Sequence, residues 1–177
     1  IIKVSEKTDV DASFPFKDHH KLYFEKLLHR LLASYLIKVP TYCVMSNHVH
    51  LIIARQKGAD TALGLKEAAK RFKNYYKLKE APDARSHKVH EFRKRLNSIS
   101  EFMRDLQRRF TFWYNHQFPT KRKGSLWNPR FKSISLTSGK ALSDCMKYIE
   151  LNPVRAKICH SPGQYKFSSW GHISRND

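Results

Sequence analysis

Acidic side chains are what this chain is shortest of. It has 15 Asp and Glu against 34 Lys and Arg, leaving a net charge of +19 and a pI near 10.0. Such an imbalance says little about fold and a good deal about partners, favouring a phosphate backbone first and an anionic membrane surface second. Cysteine is also scarce. Cys43, Cys145 and Cys159 are widely spaced and form no Cys-x-x-Cys pattern, which argues against a disulfide framework or a structural zinc site and fits a reducing compartment. No apolar run is long enough to span a bilayer and no export signal is visible, so a membrane partner is not expected. Internal repeats and low-complexity segments are missing too, which sets aside solenoids and arrays. What remains, 177 residues, suits one domain (1–177) with a sizeable core.

Against that background the stretch from Tyr42 to Ala54 stands out. From Asn47 it alternates, so that on a strand His48, His50 and Ile52 point one way and Val49, Leu51 and Ile53 the other. Two imidazoles then stand side by side on one face, a compact two-nitrogen site for a divalent metal that lacks a third ligand. An isolated His-x-His is as readily an ordinary pair on a solvated face, so the remaining chain has to decide.

The order of patterns gives the fold expectation. Ile1 to Val4 reads as a first strand, and Leu22 to Leu36 as an amphipathic helix capped by Asp18 and closed by Pro40. Thr41 to Met45 and the His strand follow, then a basic helix over Leu63 to Leu78. Segment 80–95 is dense in charge without a convincing apolar stripe and reads as a charged, irregular insertion. A helix with Phe102, Leu106, Phe110 and Trp113 on one side comes next, and Leu126 to Leu136 ends in alternation and supplies a fourth strand. Strand-helix-strand-strand-helix-strand is the ferredoxin-like order. The expected class is therefore α+β, a four-stranded antiparallel sheet with helices on one face and an extra helix, Leu142 to Leu151, on the other. Residues 159–177 form a tail whose aromatics can dock on the body.

That extra helix carries Tyr148 and Asn152, four apart and so on one face. Set against the His pair, it would bring a phenol and a carboxamide oxygen beside a bound metal. A tyrosine oxygen there can attack phosphorus and form a covalent phosphotyrosine link. Tyrosine ordinarily titrates near 10, so it needs nearby positive charge or a base, for which Lys147, Arg155 and Lys157 are local candidates. Asn152 has a rival role as the cap of a helix beginning at Pro153, and Glu150 is an alternative oxygen ligand. The other histidines, His19, His20, His29, His87, His90, His116, His160 and His172, show no ligand spacing and read as surface or packing residues.

These motifs, in this order, resemble the REP-associated tyrosine transposase group of the single-tyrosine HUH transposases. The resemblance rests on Asn47-His-Val-His-Leu51, Trp113-Tyr-Asn115, Gly124 to Ser133, Tyr148-Ile-Glu-Leu-Asn-Pro-Val-Arg155 and Tyr165-Lys-Phe-Ser-Ser169. It implies a metal-dependent endonuclease and strand transferase acting on single-stranded or hairpin DNA through a covalent 5′-phosphotyrosine. Tyr148 would be the nucleophile, with His48, His50 and Asn152 as ligands of Mg2+ or Mn2+. It further implies a cytoplasmic, bacterial nucleoid-associated protein, with both monomers and homodimers known among relatives. The segment after Val4 lacks the Arg-Gly-Asn-like loop of many relatives, and 80–95 is longer and more charged than in compact members, departures that bear on substrate recognition.

Candidate phosphate contacts are Lys70, Lys73, Arg104, Arg108, Lys121, Arg122, Lys123, Arg130, Lys132 and Arg155, with Tyr75, Tyr76 and Tyr114 nearby in sequence as stacking partners for unpaired bases. Two other readings compete: a hairpin-binding regulator that does not cleave, and an RNA-binding ferredoxin-like module. The RNA reading leaves His48, His50 and Tyr148 together without a reason.

Overall fold

The computed structural model describes residues 2–3, 15–118, 123–128 and 132–176. Three strands form its sheet in the order β1-β3-β2: β1 is Ile2–Lys3, β2 Ile37–Val44 and β3 His48–Arg55. β1 runs antiparallel to β3, pairing Ile2 with Val49 and Lys3 with His48. The helices are α1 (Asp18–Leu32), α2 (Ala59–Ala62), α3 (Leu65–Tyr76), α4 (His87–Arg95), α5 (Ile99–Asn115), α6 (Gly139–Glu150), α7 (Asn152–Arg155) and α8 (Ser169–Asn176). Among the described residues no helix is long and apolar enough to cross a membrane.

The four-stranded ferredoxin-like sheet expected from the pattern is corrected here. No fourth strand forms among the described residues of 126–136, where Lys132 to Leu136 run unpaired by any strand. Alternation in Ser133-Ile-Ser-Leu136 is real, but Ile134 is 88% exposed, so there is no buried face for that alternation to serve. Segment 80–95, expected to be irregular, contains α4. Its apolar stripe is only Val89 and Phe92, both buried.

Two compact units divide the chain: Ile1–Glu25, Val39–Ile52 and Phe110–Asp177 make the first, and Lys26–Lys38 with Ile53–Arg109 the second. An aromatic cluster fills the first. Phe16 and Phe24 meet Phe110 and Trp127 edge-on, and Tyr23 stacks on Trp113 with ring centroids 3.7 Å apart. Tyr114 is fully buried and donates to the Pro15 carbonyl, while Asn115 Nδ2 donates to the Gly124 carbonyl at 3.1 Å. Gly124 has φ +99°, a backbone that other L residues rarely adopt. The Trp113-Tyr-Asn115 motif is therefore scaffold.

β2 is an edge strand, and the C-terminal tail covers its outer side. Val44 N–H donates to the Phe167 carbonyl, Cys43 bridges Ser168, and Ser169 Oγ accepts from Tyr42 N–H at 2.7 Å. Tyr165 Oη donates to the Val44 carbonyl at 2.7 Å. Gly171 follows directly, and a Cβ there would meet the Tyr165 carbonyl oxygen at 1.9 Å, so only glycine lets α8 come this close.

α8 also brings His172 Nε2 to 3.4 Å from the buried Glu25 carboxyl, which accepts from Tyr42 Oη at 3.1 Å. Burial pushes the Glu25 carboxyl up to about 7, with the Tyr42 hydrogen bond and the Arg175 charge pulling the other way. A folded-state value above the ordinary carboxyl range means that Glu25 favours folding fully below about pH 4.5, a contribution lost as pH rises through about 7. Denaturant midpoints compared at mildly acidic and mildly alkaline pH should show wild type losing at most about 3 kcal/mol over that interval. Glu25→Gln should lose clearly less. Identical losses in both proteins would mean that Glu25 does not govern the slope.

In the second unit Ala68, Ala69 and Val89 form a small core with Leu63, Phe72 and Ala84. Arg71 donates to the carbonyls of Ala33, Ser34 and Tyr35 just beyond the end of α1, where a cation is favoured. Asp105, buried in α5, accepts from Tyr35 Oη at 2.6 Å and from Tyr75 Oη.

Candidate active site

All four residues singled out for chemistry fall in the first unit, and the structure brings them together. A tight turn at Ser46-Asn47, with Met45 N–H donating to the His48 carbonyl at 2.9 Å, starts β3 and sets its alternation. His48 and His50 then lie with ring centroids 4.8 Å apart and planes at 82°. Val49, between them, is fully buried on the other face. The His face is covered as well: His50 is only 4% exposed, whereas His48 is half-buried and its Nδ1 lies 2.7 Å from Asn47 Oδ1.

What covers His50 comes from α6 and α7. Ser138 caps α6, its Oγ accepting from Ala141 N–H at 3.1 Å, and the helix runs to Glu150. Tyr148 presents its ring edge-on to His50 at 5.8 Å and stays 44% exposed. Asn152 Nδ2 sits 3.1 Å from His50 Nε2. The rival capping role falls away, since α7 has Leu151 as its N-cap and no side-chain cap bond. Pro153 fixes the backbone there without needing the Asn152 side chain.

Glu150, weighed as an alternative ligand, points elsewhere. It accepts from Thr41 Oγ1 on β2 and from Trp170 N–H on α8, at 3.3 Å for the latter. It anchors the tyrosine helix, a role that the motif reading missed; the signal was a carboxylate set between Ile149 and Leu151. Arg155 lies against the tyrosine, its Cζ 4.9 Å from the Tyr148 ring centroid. Lys147 and Lys157 are exposed.

Other tyrosines are spent on structure. Tyr114 is buried as described, and burial drives the Tyr165 phenol far above its ordinary range. His20 is a packing residue: it accepts from Lys17 N–H through Nδ1, and burial lowers it to about 4, with His19 and Lys17 adding to the shift.

Among the described residues no group of three His, Cys, Asp or Glu could hold a metal ion. The His pair becomes a three-donor set only with the Asn152 carboxamide. A half-turn of that amide exchanges Nδ2 for Oδ1, leaving an oxygen about where the nitrogen lies, 3.1 Å from His50 Nε2. At that separation, which an ordinary hydrogen bond also has, His48, His50 and Asn152 could together hold one divalent cation. Two imidazoles and an amide oxygen suit borderline-to-hard ions.

The candidate phosphate contacts are dispersed. Lys123, Lys132 and Arg155 belong to the first unit and are exposed; Lys70, Lys73, Arg104 and Arg108 belong to the second. Arg104 pairs with Glu101, and Arg108 approaches Asp105 at 3.8 Å. Lys121, Arg122 and Arg130 lie outside the described residues. Of the three stacking candidates only Tyr76 is exposed, at 46%, since Tyr75 and Tyr114 are core.

No protein-family model matches the chain, and no curated protein matches it by sequence. Its structure is similar to a solved structure of a REP-associated tyrosine transposase bound to a REP hairpin, with a TM-score of 0.60. The match covers 99% of this chain and 77% of that one at 12% identity, a likeness of fold.

Proposed function

We propose that this protein is a metal-dependent DNA strand transferase and endonuclease that uses Tyr148 to form a covalent 5′-phosphotyrosine with hairpin-forming single-stranded DNA. The observation that carries this is the meeting of His48, His50, Tyr148 and Asn152 at one surface, with Arg155 against the tyrosine ring. The fold shared with a transposase caught on a hairpin adds support, as does the +19 net charge.

His48 and His50 would hold Mg2+ or Mn2+ through ring nitrogens, with Asn152 adding its amide oxygen. A bound divalent cation would polarise the scissile phosphate and offset charge on its oxygens. Tyr148 Oη attacks phosphorus and displaces the 3′ oxygen of the neighbouring nucleotide. The phenol proton leaves to solvent, to which Tyr148 is 44% exposed, and the departing oxygen takes a proton from solvent in turn. Arg155 lies where its guanidinium can meet a phosphate oxygen as it approaches the tyrosine. Reversal with a different 3′ hydroxyl transfers the strand.

The test mixes the protein with end-labelled DNA hairpins carrying single-stranded flanks, in Mg2+ or Mn2+ and separately in chelator. An adduct that survives denaturation should form with metal and disappear with chelator. Tight hairpin binding with metal present, and no adduct on any strand offered, would replace this reading with that of a non-cleaving regulator.

A further inference from the structure

The second unit has a groove of about 800 Å3 whose lining includes Phe72 and Tyr76 of α3 together with Lys88, Phe92, Lys94 and Arg95 of α4. Rings and cations share its lining with Glu91 and Glu101, which sets it apart from an aliphatic pocket. Phe92 is buried and meets Phe72 edge-on at 5.2 Å. Tyr76 rests on Phe72 with centroids 4.4 Å apart and accepts at Oη from Arg95 Nη2 at 3.4 Å, yet remains 46% exposed. An aromatic side chain held this firmly while nearly half uncovered is a ready platform for a flat ligand.

Arg95 is held by rings as well, its Cζ 5.3 Å from the Tyr75 centroid and 5.4 Å from that of Phe92. Its Nε is buried with no hydrogen-bond partner among the described residues. The acids of the groove are already engaged: Glu91 pairs with Lys94 at 2.6 Å and Glu101 with Arg104. A ligand with a planar face and an anionic backbone matches the two features at once.

We propose that this groove holds unpaired nucleotides of single-stranded DNA, one base stacked on Tyr76 and the adjoining phosphates met by Arg95 and Lys88. The inference rests on the protein's being a DNA binder and is independent of cleavage at Tyr148. Paired DNA keeps its bases stacked inside the helix and cannot offer Tyr76 a free face, so the groove discriminates single strands from duplex.

Fluorescence anisotropy with the full chain and a short oligothymidylate tests it. Tyr76→Ala should weaken binding about tenfold, and Tyr76→Phe, which keeps the ring, should stay near wild type. Duplex DNA of the same length should bind Tyr76→Ala and wild type alike. Lys88→Gln should lower the slope of log affinity against log salt by about 0.7. Photo-crosslinking of wild type with 5-iododeoxyuridine in the oligonucleotide needs no variant and should mark Tyr76 or Phe72. Crosslinks confined to other segments, or folded Tyr76→Ala binding oligothymidylate as wild type does, overturn the proposal. So does strong preference of the groove for oligouridylate over oligothymidylate. A protein that forms the Tyr148 adduct but is indifferent at Tyr76 rejects the groove alone. One that loses single-strand binding at Tyr76 yet never forms an adduct upholds the groove and rejects the cleavage reading.

Discussion

Tyr148→Phe should reduce adduct formation and strand cleavage to the uncatalysed background while changing hairpin affinity by less than about twofold, because only one oxygen is removed. The ring that meets His50 edge-on and lies against Arg155 remains, so the helix keeps its contacts. Stability should move by no more than a few tenths of a kcal/mol, the usual range for a change at a partly exposed position. Manganese in excess should not restore activity, since the missing group is the nucleophile. His48→Ala loses a metal donor instead, and raised metal concentration should recover part of its activity. Single-turnover assays on labelled hairpins distinguish the two. An adduct persisting in Tyr148→Phe would move the chemistry to another tyrosine, although Tyr114 and Tyr165 are buried and already donate to backbone carbonyls.

The largest effect on stability should come from Asp105→Ala. Its carboxylate accepts from two phenols, those of Tyr35 and Tyr75, at a position only 3% exposed. Burial and this carboxylate both push the two phenols up, so they are donors throughout the accessible pH range. Truncation to Ala leaves two buried hydroxyls without their acceptor, each costing about 1–3 kcal/mol, and opens a small void beside the Tyr35 and Tyr75 hydroxyls. A loss of about 3–5 kcal/mol follows, read as a fall in denaturant midpoint. Asp105→Asn keeps an acceptor and should lose less. Adding Tyr35→Phe and Tyr75→Phe to Asp105→Ala should recover much of the loss, because no orphaned hydroxyl then remains. Failure of that rescue would assign the cost to packing and to Arg109, which lies 4.2 Å from the Tyr75 ring.

Local geometry at the site was legible because it depends on short-range periodicity. Alternation put His48 and His50 on one face, and helical spacing put Tyr148 and Asn152 on another. The choice between capping and facing the His pair was not legible for Asn152, since both use the same side-chain oxygen and only tertiary placement decides. The fourth strand failed for a related reason. A period of two in Ser133-Ile-Ser-Leu136 says nothing about whether a neighbouring strand is there to pair with. α4 was hidden by its charge: with Val89 and Phe92 as its only buried residues, its stripe is too narrow to rise above nine residues of mostly Lys, Arg and His. Tyr114 shows the converse limit, a polar aromatic in a basic stretch that turned out to be fully buried. The tail's docking on β2 was foreshadowed by Tyr165 and Ser169, whose side chains bond backbone atoms of Val44 and Tyr42, while its backbone bonds at Val44 and Cys43 leave no side-chain pattern.

The most direct measurement is to digest the protein–DNA adduct with trypsin and nuclease and to locate the nucleotide by mass spectrometry. Cleavage after Lys147 and Arg155 releases the peptide Tyr148–Arg155, which contains a single tyrosine. That peptide should carry a nucleotide through a phosphodiester to the phenol oxygen, in samples made with metal and not in those made with chelator. A nucleotide found on any other peptide, or an unmodified Tyr148–Arg155 peptide from a preparation in which the DNA has been cut, would contradict Tyr148 as the nucleophile.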